Sequence, residues 1–476
     1  MIGDDLIFGS VRTLADAVRT RKVSPVELTE AYLQRLETIG PRLNAVVTVT
    51  RDLALQQAKA AEKEIAAGKY RGPLHGIPYG LKDAFATKGT PTTWGTAPYR
   101  DRVFDYDAAV VKRLAGAGAV LIGKLAMIEL VGGFGYTTAD SSFTGPCRTP
   151  WNPAYFSGGS SSGPAAATAA ALVAFSVGGE TGGSIVQPSS HCGVSGMRTT
   201  YGRVSRAGSV SLCWTLDKLG PLCRSAGDCG LVLNAIAGYD KDDPATNRVK
   251  FAYPAPAHTR KFKIAVIKGS YERAQPEIVA NFEESVKVIS RFADVSRDVE
   301  FPDYPYGAIL STILYSEGTA AFRELVDTGR MRQMQNHEDR IGGYIGMTIS
   351  AVDYLQAQRV RKLARQAIDQ LLAKYDAVIG PTTTAVARRI DAPSGRGAQP
   401  GRQTAPAGPQ AIPLVAAGNI AGVPAITVPN GFGQNGIPTG LQFIGAAWSD
   451  SSLLAIADVY QRATNWHTRR PPAANL

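Results

Sequence analysis

Apolar and polar positions along the chain alternate with two periods, and together they predict layered helices and strands. Ser24-Pro25-Val26-Glu27 reads as a capping box with proline at the first helical position. Leu28, Tyr32, Leu36 and Ile39 then form one apolar stripe, and Gly40-Pro41 ends it. A second long helix is expected from Ser350, with Asp353 three residues on. Val352, Leu355, Val360, Leu363, Ala367 and Leu371 are expected on its inner face. Short apolar runs fall between such stretches: Ala45 to Val49, Val120 to Ile122, Ile264 to Ile267, Ala377 to Ile379, Ala425 to Val428 and Leu441 to Ile444. Strands separated by helices imply an α/β sheet covered on both faces.

The 476 residues carry no internal repeat. Length alone suggests about three domains, although single large α/β domains often reach this size. Residues 393–413, rich in Gly, Pro, Ala and Gln and without an acidic residue, are expected as either an interdomain linker or a flexible loop near the active site. Composition, 44% hydrophobic and 19% charged, is that of a globular enzyme. The formal charge of +11 is spread in small clusters, which describes a solvated basic surface better than a nucleic-acid or membrane interface. Five cysteines without a CxxC argue against a disulfide framework or a thiolate metal site. No HExxH or paired-histidine spacing suggests a metal, so neither metal nor cofactor is expected. The N-terminus lacks a basic-then-apolar signal, and the run 165–178 is too short to span a bilayer. A cytoplasmic protein is expected, acting on a small molecule and on neither nucleic acid nor membrane. A homodimer is compatible with these numbers.

The most unusual stretch is Ser157-Gly-Gly-Ser-Ser-Ser-Gly-Pro164, an Ala-rich run, then Gly178-Gly-Glu-Thr-Gly-Gly-Ser184-Ile185. Ala165 to Ala171 favours helix, and Val173 to Val177 suits a strand entering the second loop. Glycines beside a serine let backbone approach a ligand and let successive N–H groups converge on an oxyanion. Two tight turns packed on the core would give the same composition. Lys82, in Gly76-Ile-Pro-Tyr-Gly-Leu-Lys82-Asp83, follows an apolar, strand-like run. If buried, its amine loses proton affinity and becomes a competent base.

Taken together, these segments resemble the amidase signature family, which carries a Gly-Gly-Ser-Ser loop, a Thr-Gly-Gly-Ser-Ile turn 24 residues on, and a lysine in a Gly-Ile-Pro-x-x-x-Lys-Asp context. Pro150-Trp-Asn-Pro153, Thr200-Tyr-Gly-Arg203 and Ala421-Gly-Val-Pro-Ala-Ile-Thr-Val-Pro429 extend the resemblance over residues 10 to 470. It implies one domain over residues 1–476, built on a mixed, twisted sheet of about ten or more strands with helices on both faces. It also implies a hydrolase that cleaves amides through an acyl-enzyme. Lys82 falls on the family's base, Ser160 on its bridging serine at a cis peptide bond, and Ser184 on its nucleophile. The oxyanion donors fall on the N–H groups of Thr181, Gly182, Gly183 and Ser184. Val131, Gly132, Gly133 and Phe134 fall at the substrate. Phe134, Tyr136 and Trp214 hint at an apolar group on a small amide, anilide or carbamate, with ester cleavage as a side activity. The alternative is the glutaminase-type A subunit of a tRNA-dependent amidotransferase, which works with partner chains.

Four positions depart from the family: Ser162 and Pro164 replace residues that are often Gly and Ser, and the other two lie at the nucleophile turn. Val186 stands where it usually has arginine, and Glu180 where it usually has the aspartate pairing with that arginine. A buried, unpaired Glu180 would be expensive, so either Arg198 or a protonated His191 is expected to replace the partner, or Glu180 is expected to be neutral. Two other motifs compete. Gly159-Ser-Ser161-Ser-Gly163 mimics a nucleophile elbow, with Ser161 as nucleophile and His467 as base. Gly118 to Lys124 mimics a phosphate loop, but Leu125 stands where Ser or Thr is needed, and Lys124 is expected to be exposed at a strand end.

Overall fold

The computed structural model describes residues 2–134, 139, 142–255, 260–392 and 413–475. The loop expected over residues 393–413 lies outside them, apart from Pro413. Eleven strands form one sheet. In chain order they are β1 (Val46–Val49), β2 (Pro78–Lys82), β3 (Val120–Leu125), β4 (Phe175–Glu180), β5 (Ser195–Arg198), β6 (Lys218–Cys223), β7 (Phe262–Ile267), β8 (Ala293–Val299), β9 (Ala377–Pro381), β10 (Ala425–Phe432) and β11 (Pro438–Ile444). The spatial order is β1-β3-β2-β4-β6-β5-β10-β11-β9-β7-β8. The sheet is mixed: β2 runs parallel to both β3 and β4, while β4/β6, β5/β6 and β10/β11 are antiparallel. Every residue of β2, β3 and β4 is buried, as expected of strands covered on both faces. The fold is therefore the helix-covered α/β sheet that the alternating pattern implied, and the single mixed-sheet domain that the family resemblance implied.

Six helices matter below: α1 (Pro25–Thr38), α2 (Ser162–Ala169), α3 (Val186–Cys192), α4 (Tyr306–Ala321), α5 (Ala351–Leu372) and α6 (Leu414–Ala421). Helix α1 starts with the capping box read from sequence: Ser24 Oγ accepts from Glu27 N (3.1 Å), and Glu27 Oε2 accepts from Ser24 N (2.9 Å). Ser350 caps α5 through its hydroxyl, which accepts from Asp353 N. The inner face expected for α5 is wrong over its first half. Val352, Leu355 and Leu363 are 74%, 59% and 53% exposed, whereas Leu371 is buried as expected, together with Ala364, Ile368 and Leu372. The helix runs past the edge of the core, so a continuous apolar stripe along it marks burial only where another element lies beneath.

Sheet topology positions the site. β2 and β4 are neighbouring parallel strands, so their carboxyl ends, Lys82 and Glu180, emerge at the same edge. Clefts at that edge are where open α/β sheets bind ligands. The two Gly/Ser loops lead to this edge: one enters α2, the other leaves β4 and enters α3. Gly163 seats the first loop. A methyl group there would come within 2.4 Å of Ala126 N and 2.5 Å of Ala45 O.

Candidate active site

Lys82 closes β2 with its side chain wholly buried. Its Nζ donates to Ser160 Oγ (2.8 Å) and to the Gly179 carbonyl (3.2 Å). Burial lowers its pKa from 10.5 to about 7, opposed by the nearby carboxylates of Asp217 and Glu180. The amine is therefore largely neutral at mildly alkaline pH and able to accept a proton.

Ser160 is fully buried, and the Gly159–Ser160 peptide is cis. Its carbonyl accepts from Ile128 N (3.2 Å), which ties the first Gly/Ser loop to the end of β3. The neighbouring Ser161 N donates to the Ser184 carbonyl (3.1 Å), so the two loops are in direct contact. Ser161 itself is buried and spends its hydroxyl on the Gly179 carbonyl (3.1 Å), which leaves it poorly suited to act as a nucleophile. Of Lys82, Ser160 and Ser184, only Ser184 keeps partial solvent access. That ordering, a buried amine, a buried hydroxyl and an accessible hydroxyl, is what a proton relay toward a bound substrate requires.

The turn carrying Ser184 is held from both sides by carboxylates. Glu180 Oε2 accepts from Ile185 N (2.8 Å) and Val186 N (3.0 Å), two of the unpaired donors at the start of α3. Asp217 Oδ1 accepts from Thr181 Oγ1 (2.6 Å), and its other oxygen accepts from Leu212 N and Cys213 N (both 2.9 Å). Gly183, at φ +130, gives the turn a conformation that side chains avoid. The N–H groups of Gly182, Gly183 and Ser184 donate to no protein acceptor among the described residues. Three unspent donors beside an accessible serine are suited to receive a developing oxyanion.

Glu180 is buried, and Arg198 is its cation: Nη1 lies 3.3 Å from Glu180 Oε1, with both side chains inaccessible. Asn419 Nδ2 of α6 donates to the same oxygen (2.8 Å). His191 does not take part. Burial lowers its pKa to about 4, so it is neutral. The missing arginine at Val186 is thus covered from β5, and Val186 itself is buried. Lys218, opposite Glu180 in the β4/β6 register, is a further buried amine whose proton affinity is lowered by burial and by Arg198.

Lys124 corrects the expectation of an exposed strand-end lysine. It is fully buried, 3.2 Å from Asp83 Oδ1, and donates to Phe85 O and Thr92 Oγ1 (2.8 Å each). It braces the segment that follows Lys82. Val131 lines a cavity of about 20 Å³ shared with Gly179, Thr181 and Asp217, which places it next to the Ser184 turn. Leu130 and Val131 hold left-handed backbone (φ 46 and 61), anchored by Glu129, which accepts from Gln335 N (2.8 Å). Gly132 is partly accessible and Gly133 buried. Phe134 is 2% exposed and packs edge-on against Phe322, so it presents a core surface and not a pocket wall. Trp214 is 45% exposed, in a groove of about 570 Å³ lined by Ser316, Arg323, Met347 and Tyr354, on a different face of α4 from the Ser184 turn. Tyr136 lies outside the described residues. Asp217 and Asn419, both buried against the turn, gave no sequence signal, because isolated residues acquire meaning only when β6 and α6 are folded beside β4.

Residues 27–454 match the family described as Amidase. The chain is 35% identical, over 96% of its length and 97% of the relative's, to the A subunit of the glutamyl-tRNA(Gln) amidotransferase of Methylococcus capsulatus (strain Bath). Among solved structures it is similar to a bacterial aryl acylamidase, with TM-score 0.86, 25% identity and 98% of each chain covered. It is also similar to the A subunit of the Thermotoga maritima glutamyl-tRNA(Gln) amidotransferase, with TM-score 0.78, 27% identity and 98% and 97% covered.

Proposed function

Because the chain belongs to the amidase family, we propose that it hydrolyses the carbon–nitrogen bond of small amides, anilides or carbamates bearing an apolar group, through an acyl-enzyme on Ser184. The observation that carries this reading is the solvent-free Lys82 amine 2.8 Å from Ser160 Oγ, in a loop bonded to the Ser184 turn. Neutral Lys82 takes the proton of Ser160 as Ser160 takes that of Ser184. Ser184 Oγ bonds to the substrate carbonyl carbon, and the oxyanion is received by the N–H groups of Thr181 to Ser184. The carbon–nitrogen bond then breaks as the relay returns the proton to the leaving amine. Water attacks the acyl-enzyme by the same relay and releases the acid. No metal or cofactor enters the scheme.

A second reading is supported by the curated relatives, named as amidotransferase A subunits, and would make the chain a glutaminase working with partner chains. The relatives so named are 35% and 36% identical to the chain over nearly its whole length, against 25% for the aryl acylamidase, which favours this second reading, while the TM-score of 0.86 to the aryl acylamidase favours the first. The test is a panel of p-nitroanilides, carbamates and glutamine with the isolated chain. Turnover of anilides or carbamates that Ser184→Ala abolishes supports the first reading. Ammonia release from glutamine alone, with no turnover of the others, sinks it. Labelling of Ser184 by a fluorophosphonate separates a true hydrolase from a catalytically silent binder.

A further inference from the structure

Helix α4 crosses the mouth of the site, and the face it turns toward it is apolar. Near its start, Leu310 packs on the Ser184 turn: a methyl group on Gly182 would come within 3.2 Å of Leu310 Cδ2. Two turns later, Gly318 packs on the far wall. A methyl group there would lie 3.0 Å from Leu212 Cδ1 and 3.3 Å from the Gly133 carbonyl. Residues spaced by four share a helix face, and eight residues advance the axis by roughly 12 Å. The helix therefore bridges from the oxyanion turn to the Val131–Gly133 segment. Leu314 is the residue at mid-span on that face, and it is only partly buried. On the other flank, Val415 at the start of α6 reaches the same turn, 3.1 Å from where a methyl on Gly183 would sit.

Charge on these walls is already spent inside the protein. Glu180 is taken by Arg198, Asn419 and backbone N–H groups, and Asp217 by Thr181 and the backbone of Leu212 and Cys213. Both carboxylates are buried. Among the described residues, Leu310, Val131 and Val415 meet at the turn, Gln187 beside Gly183 is the uncharged polar side chain among them, and Leu314 continues the face of Leu310 one turn along α4. An uncharged aryl or alkyl group gains from such a wall, whereas a free amino acid would strip its own charged groups of water against it.

We infer that Leu314, flanked by Leu310, is the specificity-determining residue of this site and selects substrates with an uncharged alkyl or aryl group beside the scissile carbonyl. The inference rests on the Ser184 acyl-enzyme reading and deepens it. The experiment compares kcat/KM for p-nitroanilides of acetic, butyric, hexanoic and benzoic acids, and for anilides against the corresponding primary amides, in wild type, Leu314→Ala and Leu310→Ala. Leu314→Ala is expected to lower the ratio of the best large to the smallest substrate by about tenfold, since removing a few methylenes of apolar wall is worth that order of discrimination. Thr312→Ala, on the opposite face of α4, is expected to leave the ratio unchanged. Should Leu314→Ala fail to fold, as judged by thermal unfolding and fluorophosphonate labelling, Leu314→Gln of similar size serves, with the same expected fall. An unchanged ratio in both series, with Ser184→Ala still inactive, overturns the inference and leaves the acyl-enzyme reading standing. Turnover by Ser184→Ala overturns that reading instead.

Discussion

If Lys82 is the base, the enzyme must switch on as that one buried amine loses its proton. The displacement from 10.5 to about 7 means that the folded protein disfavours the cation by about 5 kcal/mol relative to water. The cause is complete burial. It is opposed by two carboxylates already committed to other partners, Asp217 and Glu180. A plot of kcat/KM against pH reports ionisations of the free enzyme, so its acid limb should have unit slope and a midpoint near 7. Between about pH 6 and pH 8 the rate constant should rise about tenfold, because the neutral fraction of a group with that midpoint does. Asp217→Asn tests the cause: it removes a charge that favours the cation, so the limb should move to lower pH. Lys82→Arg keeps a permanent cation and should lose activity throughout the range, while still folding. Stopped assays on one anilide from about pH 5 to 10 suffice. A limb centred at about 9 or above, or the same limb persisting in Lys82→Arg, would refute the neutral-amine argument.

Three other expectations follow from the same geometry. Arg198→Met should cost about 3–5 kcal/mol in denaturant unfolding, because it strands Glu180 as an uncompensated buried charge, and Arg198→Met with Glu180→Gln should recover much of it. Lys82→Met should stabilise the fold by about 1–4 kcal/mol at pH 7. Because the folded pKa of Lys82 lies below its unfolded value, the unfolded chain binds more protons from about pH 7 to 10.5. Wild-type stability from this group therefore rises across that window, and the gap in Tm between Lys82→Met and wild type should narrow toward about pH 10. His467→Ala should keep full turnover, since Ser161 is already bound to the Gly179 carbonyl and cannot work as the nucleophile of an elbow. Loss of activity there would revive that mechanism.

The segments legible in the sequence are those whose signal is local. A capping box contains both partners of its hydrogen bonds within four residues, and α1 and α5 begin where Ser24 and Ser350 announced them. Apolar runs of strand length became strands because the sheet is covered on both sides. The two Gly/Ser loops were legible through their resemblance to a family motif. Burial was harder, because it depends on what lies opposite. Lys124 looked like a solvated strand end until Asp83, Phe85 and Thr92 closed around it, and Val352 looked like core on a helix that overhangs the core. Phe134 and Trp214 were plausible pocket walls by residue type alone, and tertiary packing sent one into the core and the other to an outer groove. Leu310 and Leu314 carried no signal, being two apolar residues of a helix whose distance from Ser184 in sequence exceeds a hundred positions.

The substitutions at Glu180 and Val186 fit this architecture once the turn is viewed as a backbone held by acceptors. What the Ser184 turn needs from position 180 is a carboxylate oxygen that reaches Ile185 N and Val186 N, and the longer glutamate reaches them at 2.8 and 3.0 Å. The neutralising cation can then come from any element that faces the other oxygen, and β5 supplies Arg198. With the charge balanced from that side, position 186 is free to be a small apolar residue at the start of α3. The same two carboxylates that shape the turn also raise the proton affinity of Lys82 against its burial. On the proposed mechanism, the geometry of the oxyanion donors and the basicity of the relay are thus set by shared groups. A substitution at Glu180 or Asp217 should therefore move rate and pH profile together, whereas a purely structural support would change the rate alone.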